Sequence, residues 1–160
     1  MDLISYHGWP NCLRFSNALV DLIVTTDIGP RIIRYGFLDE ENEFAEVAED
    51  MGKRGGDEWR IYGGHRLWHA PEHSLRTYIP DNQPVRYEDH GEFIRLVQPV
   101  EPGTGIQKEI DIRLSPVNTH ARITQRLRNA GLWDVRLAVW GLSVMTPGGT
   151  GILPLPPRGS

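Results

Sequence analysis

Residues 21–37 read DLIVTTDIGPRIIRYGF, and this stretch decides the fold class. Residues 21–26 and 31–37 are rich in the β-branched and aromatic side chains that strands favour. The Asp-Ile-Gly-Pro segment between them is a turn signal, because glycine and proline supply backbone angles that a strand does not use. The stretch therefore predicts two strands joined as a hairpin.

The same spacing of apolar residues, two positions apart, recurs along the rest of the chain. Residues 85–89 and 92–97 predict a second hairpin around a His-Gly turn. Residues 107–114 alternate in the same way, and the pattern continues through residues 119–128. We expect all of these strands to pair antiparallel.

The alternation also predicts which side chains share a face of each strand. In residues 107–114 we place the aliphatic side chains on one side and the charged ones on the other. In residues 119–128 we set an apolar face against a polar, solvated one. The apolar sets are Ile106, Ile110, Ile112 and Leu114 in the first strand and Ala121, Ile123 and Leu127 in the second, and the polar set of the second is Arg122, Gln125, Arg126 and Arg128.

Residues 134–145 form the longest apolar segment, which predicts a strand near the centre of a sheet. Residues 43–51 carry apolar side chains at helical spacing but run into the glycine-rich residues 52–56, so we interpret them as a strand end leading into a mobile loop. The chain is therefore predicted to be all-β and mainly antiparallel, with little helix. We expect a single β-sandwich-like domain over residues 1–154 and a flexible tail over residues 155–160, whose Gly-Ser end is also typical of a cloning remnant.

Composition and charge narrow the classes of function. Hydrophobic residues make up 39% of the chain and charged residues 24%, which is typical of a globular protein. The formal net charge of -4 argues against a general nucleic-acid binder or a protein that binds acidic membranes. Cys12 is the only cysteine and no leader or membrane-spanning segment is visible, so we expect a soluble, cytoplasmic protein without an intrachain disulfide.

Chemically varied residues are concentrated in residues 63–73, GGHRLWHAPEH, and in residues 78–82, YIPDN. The two segments combine glycines, three histidines, a guanidinium, aromatic rings and carboxylates. A sugar ring presents both hydroxyls and an apolar C–H face, so polar groups beside flat aromatic faces suit it. The two segments therefore predict a carbohydrate site.

Several segments, taken in chain order, resemble the galactose mutarotase-like superfamily, in particular an uncharacterised branch related to the aldose 1-epimerases. Residues 63–72 with 78–82 are the most specific part of the resemblance. The other segments are 6–9 (YHGW), 11–17 (NCLRFSN), 25–33 (TTDIGPRII), 125–129 (QRLRN) and 140–149 (WGLSVMTPGG). The resemblance implies a large antiparallel supersandwich whose concave face binds a sugar ring.

The resemblance also implies an acid–base reaction, but this chain lacks one part of the machinery for it. The family's epimerases use a histidine acid and a glutamate base to open and reclose a hemiacetal. The base lies in the later half of the family's longer domains, and no segment of this chain matches it. We therefore expect the chain to correspond to the N-terminal part of such a domain, as half of a supersandwich-like β-sandwich.

Roles for single residues follow from the resemblance, with structural alternatives left open. The catalytic candidates are His65 or His69 as the acid and Glu72 as the base. Arg66 either binds sugar hydroxyls or a phosphate, or it pairs with Glu72 or Asp57. The predicted ligand-binding set is Arg66, Trp68, Tyr78, Asp81, Asn82 and Arg31, and Trp68 can equally belong to the core.

Metal and phosphate sites are not predicted, and no cofactor is expected. His65, His69 and His73 have the spacing of one helix face, but Pro71 interrupts such a helix and no HExxH pattern is present. The two glycine-rich segments, near residue 104 and near residue 149, lack the following helix and lysine of a phosphate loop. They predict turns instead.

Three functions remain open. The first is a carbohydrate-binding, epimerase-like module without full catalytic machinery, whose ligand is a sugar or a sugar phosphate. The second is an active aldose 1-epimerase with a site completed by a partner subunit, and the third is a structural or interaction module. Half a sandwich leaves strand edges and an apolar face uncovered, so we expect a homo-oligomer, most simply a two-fold dimer.

Overall fold

The computed structural model describes residues 1–159 and confirms the all-β prediction. Within those residues ten strands form two antiparallel sheets stacked as a sandwich, and there is no helix that could cross a membrane. The strands are β1 (Asp2–Tyr6), β2 (Trp9–Ser16), β3 (Val20–Thr25), β4 (Arg31–Phe37), β5 (Gly64–Ala70), β6 (Arg86–Asp89), β7 (Ile94–Val97), β8 (Ile106–Leu114), β9 (Ala121–Asn129) and β10 (Ala138–Val144). The predicted tail, 155–160, ends on Ser160, which lies outside the described residues.

The order of strands follows the predicted hairpins. The six-stranded sheet has the order β1-β2-β3-β4-β5-β10, and the four-stranded sheet has the order β6-β7-β8-β9. The predicted hairpin of residues 21–37 is confirmed as β3 and β4, which pair antiparallel with Leu22 opposite Tyr35. The hairpin around the His-Gly turn is confirmed as β6 and β7, with Asp89 opposite Ile94.

The central strands β3 to β5 of the six-stranded sheet are buried on both faces. We call the face toward the four-stranded sheet the inner face, and the opposite one the outer face. The inner face supplies Leu13, Leu22, Val24, Ile32 and Leu67 to a core shared with strands β7 and β8. The outer face supplies a second core of Trp9, Cys12, Ile23, Ile28, Ile33 and Tyr62. Burial on both sides explains why β3 is a continuous apolar run rather than an alternating one.

The segment between β4 and β5 covers the outer face. Phe44 forms an isolated bridge with Met145, and Glu46 forms one with Gly63. The predicted strand end within residues 43–51 is therefore reduced to single bridges. Further on, the indole nitrogen of Trp9 donates to the backbone oxygen of Lys53 at 2.9 Å, which ties the loop to β2.

The prediction that residues 134–145 form a central strand is wrong. Strand β10 occupies the edge of its sheet and pairs only with β5 among the described residues. Leu132 and Trp133, just before it, are 93% and 81% exposed. The core that joins the two sheets draws on β2 to β5 and contains no β10 residue of the described chain, so the apolar character of this segment does not reflect burial.

Two polar side chains lie on faces that the sequence analysis assigned to apolar residues. The polar face predicted for residues 119–128 includes Gln125, but this residue shares parity with Ile123 and points between the sheets toward His65. Lys108 shares parity with Ile110 and is only 2% exposed. Both placements follow from the strict alternation of side chains along a strand. Position in the strand therefore predicts the face of these two residues correctly, whereas their polar character does not.

Gly63 is required where the outer-face loop enters β5. Its φ is +101°, and a Cβ there would lie 1.9 Å from the backbone oxygen of Ala45. Gly91 has a comparable φ of +76°, but nothing lies within 4 Å of its Cβ position. The two glycines therefore share a backbone constraint and differ in available space.

We predict that Gly63→Ala destabilises the protein more than Gly91→Ala. Gly91→Ala should cost about 1 kcal/mol of unfolding free energy for its left-handed backbone. Gly63→Ala should cost about 1–3 kcal/mol more, because its methyl group displaces a neighbouring backbone. Urea unfolding followed by circular dichroism measures both, and equal losses would contradict the close approach at Gly63.

Candidate functional site

Strand β5 divides the predicted site residues between two faces. Successive side chains of a strand point to opposite sides of its sheet. Leu67 belongs to the core between the sheets, so His65 and His69 share the inner face with it. Arg66 and Trp68 therefore lie on the outer face. Residues adjacent in the sequence are thus separated by the thickness of the sheet.

A buried ion-pair cluster occupies the outer face at the centre of the site. Nη2 of Arg31 donates to Oδ2 of Asp81 at 2.8 Å, and Nη2 of Arg66 donates to Oδ1 at 3.1 Å. Arg31 is 0% exposed, Asp81 is 6% exposed and Arg66 is 3% exposed. Arg66 therefore pairs with Asp81 rather than with Glu72 or Asp57.

The arginines set the protonation state of this cluster. Burial by itself would raise the pKa of Asp81, but Arg31, Arg66 and Lys108 outweigh it and hold that pKa below its usual range. Burial, and then the neighbouring Arg31, lowers the pKa of Arg66 to about 10. At neutral pH the Asp81 carboxylate is therefore ionised and the Arg66 guanidinium is protonated.

Asn82 anchors the outer-face loop to the cluster. Its Oδ1 accepts a hydrogen bond from the hydroxyl of Tyr62 at 2.8 Å, and its Nδ2 donates to the backbone oxygens of Gly56 and Glu58. Arg31 lies over the Tyr62 ring, with Cζ 4.9 Å from the centroid. Because the Asn82 side chain is 0% exposed and its amide bonds are used within the chain, the residue positions the loop.

Four aromatic rings pack together beside the guanidinium of Arg66, and we call them the aromatic cluster: Trp59, Trp68, Tyr78 and Trp140. Trp68 contacts Trp59, Tyr78 and Trp140 with ring centroids 6.2, 5.2 and 5.4 Å apart, and its contacts with Tyr78 and Trp140 are edge-on. Arg66 lies over Trp59 and Trp68, with Cζ 5.3 and 5.1 Å from the centroids. These cation–π contacts hold the cluster against the sheet.

The aromatic cluster is partly open to solvent. Trp68 is 8% exposed and Tyr78 is 37% exposed, while Trp59 and Trp140 are half-buried. The Tyr78 hydroxyl donates to Oε1 of the exposed Glu72, and this bond, followed by burial, raises the pKa of Tyr78. The indole nitrogens of Trp59 and Trp68 are buried and have no hydrogen-bond partner among the described residues. The groups that the cluster offers to a ligand are therefore aromatic faces, a carboxylate and a hydroxyl.

His65 lies on the inner face in a different network. Its Nδ1 is 2.8 Å from Oγ of Ser143, and its Nε2 is 2.7 Å from the amide nitrogen of Gln125. Burial, and then Arg31, lowers the pKa of His65. The ring is therefore neutral at physiological pH.

His69 is nearly enclosed on the same inner face. It is 1% exposed, and neither ring nitrogen has a hydrogen-bond partner among the described residues. Burial, and then Lys108, lowers its pKa. Lys108 forms a buried ion pair with Glu101, with Nζ 2.5 Å from Oε1. His69 is therefore a neutral core side chain beside an ion pair.

The structure brings together some of the predicted site residues and separates others. Those that share the outer-face site are Arg31, Arg66, Trp68, Glu72, Tyr78, Asp81 and Asn82. His65 and His69 stand on the other side of the sheet. Trp59, Tyr62, Gln125 and Ser143 belong to the two networks and were not predicted. The parity of Gln125 could have revealed its position.

Metal binding finds no support in the described part of the chain, where no three His, Cys, Asp or Glu side chains come together as a possible metal site. Comparison with protein-family models, with curated proteins and with solved structures finds no match to this chain. The functional argument therefore depends on the geometry of the residues themselves.

We predict that Asp81→Asn destabilises the fold by about 3–5 kcal/mol at neutral pH, because it leaves two buried guanidinium groups without their carboxylate. A matched control is Glu92→Gln, which removes an exposed carboxylate 3.1 Å from Arg113. The control should cost less than about 1 kcal/mol. Urea unfolding of both variants measures the difference, and similar losses would contradict a central role for Asp81.

We also predict that the loss of stability in Asp81→Asn depends on pH. The pKa of Asp81 is lower in the folded protein than in the unfolded chain, where it is about 3.9. The stability that its ionisation contributes is therefore fully present above about pH 4 and is lost as the pH falls further. The gap in unfolding free energy between wild type and Asp81→Asn should narrow below about pH 4. A gap that stays constant down to pH 2 would contradict this.

Proposed function

We propose that the chain binds a carbohydrate at the aromatic cluster and acts as a binding module without full epimerase machinery. The observation that carries the proposal is the cluster itself, three aromatic rings arranged around Trp68 with a partly exposed rim. Aromatic faces pack against the C–H face of a sugar ring. The resemblance to the galactose mutarotase-like superfamily supports the same ligand class.

Polar groups at the rim suit the hydroxyls of a sugar. Glu72 is exposed and accepts a hydrogen bond from Tyr78, and its carboxylate can accept further bonds from vicinal hydroxyls. The cluster therefore combines an apolar platform with a polar acceptor at its rim.

Burial of the arginines favours a neutral sugar over a sugar phosphate. Arg31 and Arg66 both pair with Asp81 and are at most 3% exposed. A phosphate would have to displace the carboxylate to form a charge-assisted bond with either of them. We therefore propose a neutral aldose as the ligand class.

The arrangement favours binding over epimerisation. Ring opening needs an acid and a base near the same hemiacetal. Glu72 lies at the aromatic cluster, whereas His65 and His69 lie on the inner face of the sheet. An epimerase would therefore need an acid other than His65 or His69 beside Glu72.

We predict that wild-type protein gives saturation-transfer NMR signals with glucose or galactose, and weaker ones with glucose 6-phosphate. Tyr78→Ala and Glu72→Ala should each raise the dissociation constant about five- to tenfold, because they remove a stacking face and an acceptor. Tyr87→Ala is the matched control, since Tyr87 is an exposed tyrosine of the other sheet. Silence with all three sugars, or an equal effect of Tyr87→Ala, would overturn the proposal.

We also propose that the chain forms a homodimer, because an apolar surface borders two sheet edges. Strands β9 and β10 each pair on one side only among residues 1–159. The segment that joins them exposes Leu132, Trp133 and Val135, and Val139 follows on β10. A second copy that covered these residues would remove both an apolar patch and an unpaired edge from solvent.

Sedimentation velocity at micromolar concentration should therefore show a dimer. The double variant Leu132→Ser with Trp133→Ser should shift the protein to monomer, because it removes the apolar side chains from the proposed interface. Leu75→Ser is the control, since Leu75 is 84% exposed and lies elsewhere, in the loop between β5 and β6. A monomeric wild-type protein would contradict the proposal.

A further inference from the structure

A cleft of about 490 Å³ opens between the two sheets on the inner face. Leu22 and Ile32 of the six-stranded sheet form its floor, and Ala121 and Ile123 of β9 form its wall. The lining also includes the half-buried ring of Phe44. The cleft lies on the opposite side of the six-stranded sheet from the aromatic cluster, so the two are separate sites.

Hydrogen bonds between the sheets hold the cleft open at both ends. At one end the hydroxyl of Tyr35 donates to the backbone oxygen of Thr119. At the other end His65 contacts Gln125. Ala121 and Ile123 lie between Thr119 and Gln125 along the chain and face the cleft. The bridges keep the strands apart beside the small Ala121 side chain, so the space is a built feature of the sandwich.

The polar residues that line the cleft include Ser143, together with Thr119 and His120. Oγ of Ser143 lies 2.8 Å from Nδ1 of His65, and Ser143 itself is exposed in the cleft lining. A serine hydroxyl can donate one hydrogen bond and accept two. Whichever partner supplies the proton between Ser143 and His65, the hydroxyl can make two more bonds.

No carboxylate, ammonium or guanidinium group lines the cleft among the described residues. The lining contains two histidines, His65 and His120, and burial lowers the pKa of His65. An ion that entered the cleft would lose its hydration without gaining an Asp, Glu, Lys or Arg partner.

We propose that this cleft binds a neutral small molecule with an apolar body and one hydroxyl group, such as an alkylphenol. Its volume falls within the range of about 300–1,000 Å³ typical of small-molecule sites. The apolar body would contact Leu22, Ile32 and Ile123, and the hydroxyl would bond to Ser143. The ligand class thus differs from the neutral sugar proposed for the outer face.

The test uses 4-propylphenol and propylbenzene as probes that differ by the one hydroxyl. In ¹H–¹⁵N NMR titrations of the full chain, both probes should shift the amide signals of Ala121, Ile123 and Ser143. Wild type should bind 4-propylphenol about fivefold more tightly, the effect of one hydrogen bond. Ser143→Ala should remove that preference while leaving the affinity for propylbenzene unchanged.

A filling variant tests the location. Ala121→Phe places a large ring in the cleft and should abolish binding of both probes. Arg122→Phe adds the same ring on the opposite face of β9 and should leave binding intact. Should Ala121→Phe fail to fold, the shift map of the wild type still decides the location.

The proposal is overturned by any of three results. These are absence of saturable shifts at millimolar probe concentration, shifts confined to residues outside the cleft, or a hydroxyl preference that survives Ser143→Ala. Sugar binding at the aromatic cluster is unaffected by each of these outcomes.

Discussion

The carboxylate of Asp81 is the contact on which the outer face depends. This carboxylate accepts hydrogen bonds from Arg31 on β4 and from Arg66 on β5. The backbone oxygen of Asp81 also accepts a hydrogen bond from the amide of Gly29, at 2.8 Å. One residue thereby fixes the loop after β5 to two strands and to the turn that joins β3 and β4. Since both guanidinium groups are buried, solvent cannot replace the Asp81 carboxylate as the partner of their charges.

The ion-pair cluster positions the aromatic cluster through Arg66. Arg66 is held by Asp81 on one side and lies over the rings of Trp59 and Trp68 on the other. Tyr78 precedes Asp81 in the same loop and reaches Trp68 edge-on. A buried charge network thus supports an aromatic surface that is partly exposed, which separates the residues that position the site from those that can touch a ligand.

Strand β5 serves both proposed sites because its side chains alternate. Arg66 and Trp68 belong to the proposed carbohydrate site on the outer face, whereas His65 lines the inter-sheet cleft. The separation follows from the alternation of side chains between the two faces of a strand. Closeness in the sequence block 63–73 predicted one shared site, but it could not tell which of these side chains would lie on the same face.

The sequence by itself determined the strands, the hairpins and the all-β class, because alternation and turn signals are local in the chain. Local pattern could not place β10, since the edge of a sheet and its centre are distinguished by neighbours and not by apolar content. It also could not pair Arg31 with Asp81, 50 positions apart, or His65 with Gln125, 60 positions apart. Only the tertiary structure decided those contacts, because they form between segments that meet when the two sheets and their covering loops assemble.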